Sequence, residues 1–184
     1  MAPSLALVVC GAPLAVRTPD TGRALIEAGW AVTVVATEAA SPWLDTGAIR
    51  SAVGQSPRTA YRTPDQPKPP RSAAVVACPA TFNTINKLAA GLADNYATSL
   101  LCESLGAAVP LVVVPMVNEY LWGHPAWAQH LTRLANSGAT FLDVQTGERE
   151  PRAVPSGSGD QVVEAFDPGW VTNALPSPDT LPSH

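Results

Sequence analysis

Four short apolar runs, at residues 5–10, 31–36, 73–78 and 110–114, constrain the fold more than any other feature of the chain. None alternates with polar residues, which is the pattern of a parallel strand covered on both faces. Parallel neighbours need a crossover of a dozen or more residues, and the intervals between the runs carry helical signals. A helix is expected over residues 18–28, with Asp20 or Thr21 as cap, Leu25 and Ile26 as apolar positions and Gly29 as its stop. With the runs at 5–10 and 31–36 it makes one βαβ unit of the usual length, ~30 residues.

The same pattern continues down the chain. A short helix is expected within 41–51, another from about Thr84 that breaks near Asp94, and a third over 96–105. A long helix is expected over 119–136, with Leu121, Trp127, Leu131 and Leu134 as apolar positions. A fifth strand at 139–142 and a short helix at 161–165 complete the set. Pro57, Pro64, Pro67, Pro69 and Pro70 make the intervening stretch an extended loop. The expectation is an α/β protein: a three-layer, Rossmann-like or flavodoxin-like, doubly wound parallel sheet. Residues 1–170 would form a single domain, and 171–184, where Pro176, Pro178 and Pro182 fall, a disordered tail.

A net charge of −4 with 14% charged residues leaves no basic footprint, which argues against nucleic acid as a partner. No run approaches the ~18 apolar residues of a membrane span. Residues 5–10 lack a basic flank before them and read as a strand rather than a targeting segment. Cys10, Cys78 and Cys102 show no metal or redox spacing, and no His or carboxylate cluster suggests a metal. They fit buried thiols in a reducing, cytoplasmic setting. The low charge of an Ala- and Val-rich chain suggests a surface partly covered by identical subunits.

Ligands of open α/β sheets bind at the carboxyl ends of strands, and polar residues crowd those ends here. Gly11-Ala12-Pro13 follows the first run, where a glycine serves either a tight turn or a phosphate. Thr37 ends the second run, as a cap or a phosphate donor. Thr81, Asn83 and Thr84 follow the third, with Asn86 and Lys87 beyond them; Lys87 is either solvated or offset by an anion. Pro115-Met116-Val117-Asn118 ends the fourth, and Asn118 serves either as an N-cap or as a donor and acceptor at the mouth of a crevice. The histidines are His124, His130 and His184, so none lies in the first half of the chain.

Those residues resemble the flavoprotein family of homo-oligomeric, FMN-containing cysteine decarboxylases. Residues 79–84 look like that family's Pro-Ala-Ser-Ala-Asn-Thr element, with Thr81 for Ser and Phe82 for Ala; Ile85-Asn86-Lys87, Gly91 and Asp94-Asn95 continue the match. Residues 115–118 look like Pro-Ala-Met-Asn, followed by Leu121-Trp122 and His124-Pro125. The likeness runs from Leu5 to about Leu142. It implies FMN held by Gly11, Ala12, Pro13, Thr37, Thr81, Phe82, Asn83, Thr84 and Met116. It also implies that Asn118 is a catalytic residue meeting the carboxylate of a small-molecule or peptide substrate, and that the chain assembles as a trimer or a multiple of trimers.

Two departures stand out. The family's catalytic His has no counterpart between Arg50 and Ala77, and the Cys of its glycine-rich substrate clamp has none in residues 155–159. A thiol-oxidising flavin needs a base and a proton donor. The resemblance therefore implies an FMN-dependent decarboxylase or oxidoreductase with an altered active site. The alternatives are a non-catalytic FMN-binding oligomer and a flavin prenyltransferase.

Overall fold

The structure is a computed structural model that describes residues 2–65 and 71–180. Pro67, Pro69, Pro70, Pro182 and His184 lie outside the described residues. Strands β1 (Ser4–Val9), β2 (Ala31–Ala36), β3 (Ala74–Ala80), β4 (Leu111–Pro115) and β5 (Ala139–Phe141) form one sheet in the order β2-β1-β3-β4-β5. Every neighbouring pair is parallel. The expected α/β architecture is what the chain adopts.

The helices are α1 (Thr18–Glu27), α2 (Thr46–Val53), α3 (Phe82–Ala90), α4 (Tyr96–Gly106), α5 (Glu119–Trp122), α6 (Trp127–Asn136), α7 (Gly159–Ala165) and α8 (Gly169–Ala174). Successive strand residues face opposite sides, and both sides are apolar. Leu5, Leu7 and Val9 pack with Leu25, Ile49, Val162 and Val171, from α1, α2, α7 and α8. Ala6 and Val8 pack with Ile85, Leu88, Leu101, Trp127 and Leu134, from α3, α4 and α6. That two-sided cover explains the unbroken apolar runs. The chain leaves β1 for β2 on one side and returns to β3 on the other, so the strand order reverses between β1 and β3. In such sheets the crevice beyond this switch point is where ligands bind.

Three expectations need correction. The long helix over 119–136 is two helices, because Pro125 has no N–H to donate and disfavours a helical His124. The connection is held by His124 N to Leu121 O (3.1 Å) and Trp127 N to His124 O (2.9 Å). Helix α1 does not start at a side-chain cap: a 3₁₀ turn, Pro13–Arg17, runs directly into it, and Asp20 instead binds Arg17 Nε at 2.7 Å. Strand β3 continues through Ala80, and α3 starts at Phe82 and closes at Gly91 (φ +71°), well before Asp94. Asn95 then caps α4 reciprocally with Thr98.

A β-carbon on Gly29 would sit 3.6 Å from Pro178, and α8 places Val171 fully buried beside α1 and α2. Its apolar residues complete a layer that α1 and α2 leave open.

Candidate functional site

The carboxyl ends of β1 to β4 open into one cleft of about 930 Å³. Gly11, Ala12, Pro13, Thr37, Thr81, Phe82, Asn83, Thr84, Met116 and Asn118 all line it. The sheet order brings these strand tips side by side, so residues far apart in sequence share one wall.

Thr37 sits just past β2, held by its N–H to Val9 O at 3.0 Å, in the N-cap position of a 3₁₀ turn at Glu38–Trp43. Its side chain makes no cap bond there. The Oγ1 is buried with no hydrogen-bond partner. A hydroxyl left so costs about 1–3 kcal/mol, which a ligand in the cleft would recover. Of its two sequence readings, the cap is excluded.

Gly11 has a structural need of its own. A β-carbon there would lie 2.3 Å from the carbonyl oxygen of Ala39, so the 38–43 turn can approach β1 only over a glycine. Ala12 N donates to Cys10 O at 2.9 Å and Leu14 N to the buried Met116 Sδ at 3.4 Å, tying the β1 turn to the tip of β4.

Below the cleft floor, Cys10 Sγ donates to Thr84 Oγ1 at 3.2 Å, and Thr84 Oγ1 lies 3.3 Å from Thr81 Oγ1. Burial pushes the Cys10 thiol up, only partly offset by its bonds with Thr84 and Thr81. Burial likewise raises Cys78, and the neighbouring Cys10 adds to it. Both are neutral thiols, built as small apolar residues rather than nucleophiles. Asn118 caps α5, its Oδ1 accepting from Leu121 N at 3.0 Å, which leaves the Nδ2 amide as the group it can offer.

The lining extends beyond the strand tips. The segment 154–160 forms a strap: Val154 N donates to Val117 O at 2.9 Å, and Gly159 packs on Pro13. Its Pro/Ser/Gly composition signals a loop, and the resemblance sets residues 155–159 against the family's glycine-rich clamp. The strap is fixed upstream by Asp143, a buried carboxylate that accepts from Gln145 N (2.9 Å), Thr146 N (3.0 Å), Thr146 Oγ1 (3.2 Å) and Arg152 N (2.9 Å). Glu38, Lys87, Asn95 and Asp160 also line the cleft. Lys87 Nζ binds Asp94 at 2.6 Å, and that bond holds the Asp94 carboxyl below its usual range.

A reversed-order parallel sheet with a polar cleft at its switch point defines a flavodoxin-like α/β protein. The Flavoprotein family model matches residues 2–160, and the chain belongs to that family. The coenzyme A biosynthesis bifunctional protein CoaBC of Mycobacterium tuberculosis is 30% identical over 145 residues, covering 76% of this chain and 34% of that protein. Two CoaBC relatives, from Bacillus subtilis and M. tuberculosis, thus match over only 17% and 34% of their own length. The solved FMN-dependent cysteine decarboxylase TvaF is 27% identical, with a TM-score of 0.67 over 77% of this chain and 90% of that one. A mutant PPC decarboxylase, 21% identical, shares the fold with a TM-score of 0.72 over 93% and 94%. Among the described residues, no helix is long and apolar enough to cross a membrane.

Proposed function

We propose that the cleft holds FMN and that the protein is an FMN-dependent decarboxylase or oxidoreductase with an altered active site. The partnerless buried hydroxyl of Thr37, at the cleft wall beside Gly11, carries the reading. Gly11, Ala12, Pro13 and Thr37 would hold the phosphate end; Thr81, Phe82, Asn83, Thr84 and Met116 would hold the flavin. Such a cofactor supplies two-electron chemistry. The likeness to TvaF, an FMN-dependent enzyme, supports the same cofactor.

The chain's own residues do the rest. Asn118 offers its Nδ2 amide to the carboxylate of a small-molecule or peptide substrate. The titratable groups lining the cleft, among the described residues, are Glu38, Lys87 and Asp160. Lys87 is engaged by Asp94, so Glu38 and Asp160 are the proton acceptors within the cleft. An imidazole is not among these groups, which marks the departure from a His-assisted decarboxylation. The same lining favours a second reading, FMN binding without turnover. A homo-oligomer, a trimer or a multiple of trimers, fits the exposed Tyr120 and Leu121 beside Asn118. A reducing, cytoplasmic setting fits the three free cysteines.

The test begins with the chromophore released on denaturation, followed by titration of thiol acids into the holoprotein. A colourless protein that gains no visible flavin band on adding FMN refutes the cofactor. Turnover of a thiol acid that disappears in Asn118→Ala with flavin retained excludes the non-catalytic reading. A flavin spectrum that changes with dimethylallyl phosphate points instead to a flavin prenyltransferase.

A further inference from the structure

The two ends of the cleft differ in chemistry. Toward β1 and β2 the wall is Gly11, Ala12, Pro13 and Thr37. Toward β4 it is Phe82, Met116, Val117, Leu121 and Val154, with the Asn118 amide as its polar group. Phe82 is assigned to this end by its ring contacts. It stacks on Trp127 with centroids 5.2 Å apart and planes 24° from parallel, and it forms a T-shaped pair with His124 at 5.6 Å. Both partners come from the chain after β4.

That ring is not free to swing aside. Trp127 behind it is 1% exposed and is itself wedged against Trp122 at 5.2 Å. Phe82 is also the first residue of α3, so its backbone is fixed by the helix start. Lys87, the cation that lines the cleft, is drawn off by Asp94.

We propose that Phe82 is a specificity-determining residue: its pinned ring closes the β4 end of the cleft to all but compact, apolar-bodied thiol acids, with Asn118 taking the acid group. This rests on the reading under Proposed function that Asn118 meets the substrate's carboxylate, next to the flavin that Phe82 and Met116 help to hold. Size selection of this kind is strongest where the wall cannot move. A long peptide or a phosphate-bearing chain meets a rigid aromatic wall and no unengaged cation at that end, among the described residues.

Calorimetry tests it with the protein as purified, titrated with N-acetylcysteine and with a short peptide ending in cysteine. The native protein should bind the compact acid at least about tenfold more tightly. Phe82→Ala should bring that ratio close to one by strengthening the peptide, and Phe82→Leu should shift it less in the same direction. A native ratio near one, no binding of either ligand, or equal weakening of both by Phe82→Ala overturns the proposal. Should the Ala variant fail to fold, an unchanged ratio in the Leu variant overturns it. Visible flavin absorbance of the same samples reads the cofactor separately. Its absence with size preference intact refutes the cofactor and leaves the role of Phe82 standing.

Discussion

Replacing Thr37 with Val should stabilise the flavin-free protein while weakening its hold on FMN. The two side chains have nearly the same volume and both suit extended backbone, here φ −71° and ψ 157°. In the flavin-free state the buried Oγ1 makes no hydrogen bond, so Val removes a penalty of about 1–3 kcal/mol and takes nothing away. For a chain of this length each kcal/mol moves the melting temperature by about 2–4 °C. With FMN bound, the hydroxyl would donate to a phosphate, a charge-assisted bond worth about 1.5–3 kcal/mol. At 1.4 kcal/mol per decade, its loss raises Kd by roughly 10–100-fold. Thermal unfolding of flavin-free protein reads the first effect and fluorescence quenching on FMN titration reads the second. Thr37→Ser, which keeps the hydroxyl, should show neither in full. A Val variant that melts lower than the native protein and binds FMN equally well would refute the reasoning, because the hydroxyl would then be satisfied inside the protein.

Other outcomes follow from individual contacts. Gly11→Ala places a methyl 2.3 Å from Ala39 O and should cost roughly 1–3 kcal/mol, read as a lower urea midpoint with weaker FMN binding. Asp143→Ala strips the shared acceptor from the turn at 145–146 and from Arg152 N, and should cost about 2–4 kcal/mol while trypsin cuts after Arg152 faster. Burial raises the Cys10 and Cys78 thiols above the ordinary thiol range. As pH rises past about 8.5 the unfolded chain therefore loses these protons first. With fewer protons bound in the unfolded state, stability is flat below that pH and falls above it. Denaturation across pH 7–10 checks this, and Cys10→Ala with Cys78→Ala should flatten the decline.

What the sequence disclosed depended on how local each cause is. Strand positions could be read because burial on both faces leaves a continuous apolar run, as at Leu5, Leu7 and Val9. Residue types at the strand tips could be read for the same reason, and the parallel sheet then gathers them into one cleft. The break at Pro125 was obscured because apolar residues continue past it, with Trp127, Leu131 and Leu134 at helical spacing on its far side. Helix α8 was hidden because Pro176 and Pro178 signal an end, while the gap that Val171 fills is made by α1 and α2.

The strap and Thr37 show where local reasoning stops. Val154 reaches the cleft by pairing with Val117, a contact 37 residues away that no Pro/Ser/Gly pattern encodes. Thr37 has the backbone of an N-cap, so residue type and position both pointed to that use. Only the absence of the cap bond separates a threonine that serves its own helix from one kept for something else. Sequence patterns report what a residue is able to satisfy. A site is recognised by what its neighbours leave unsatisfied, and that is a property of the folded chain.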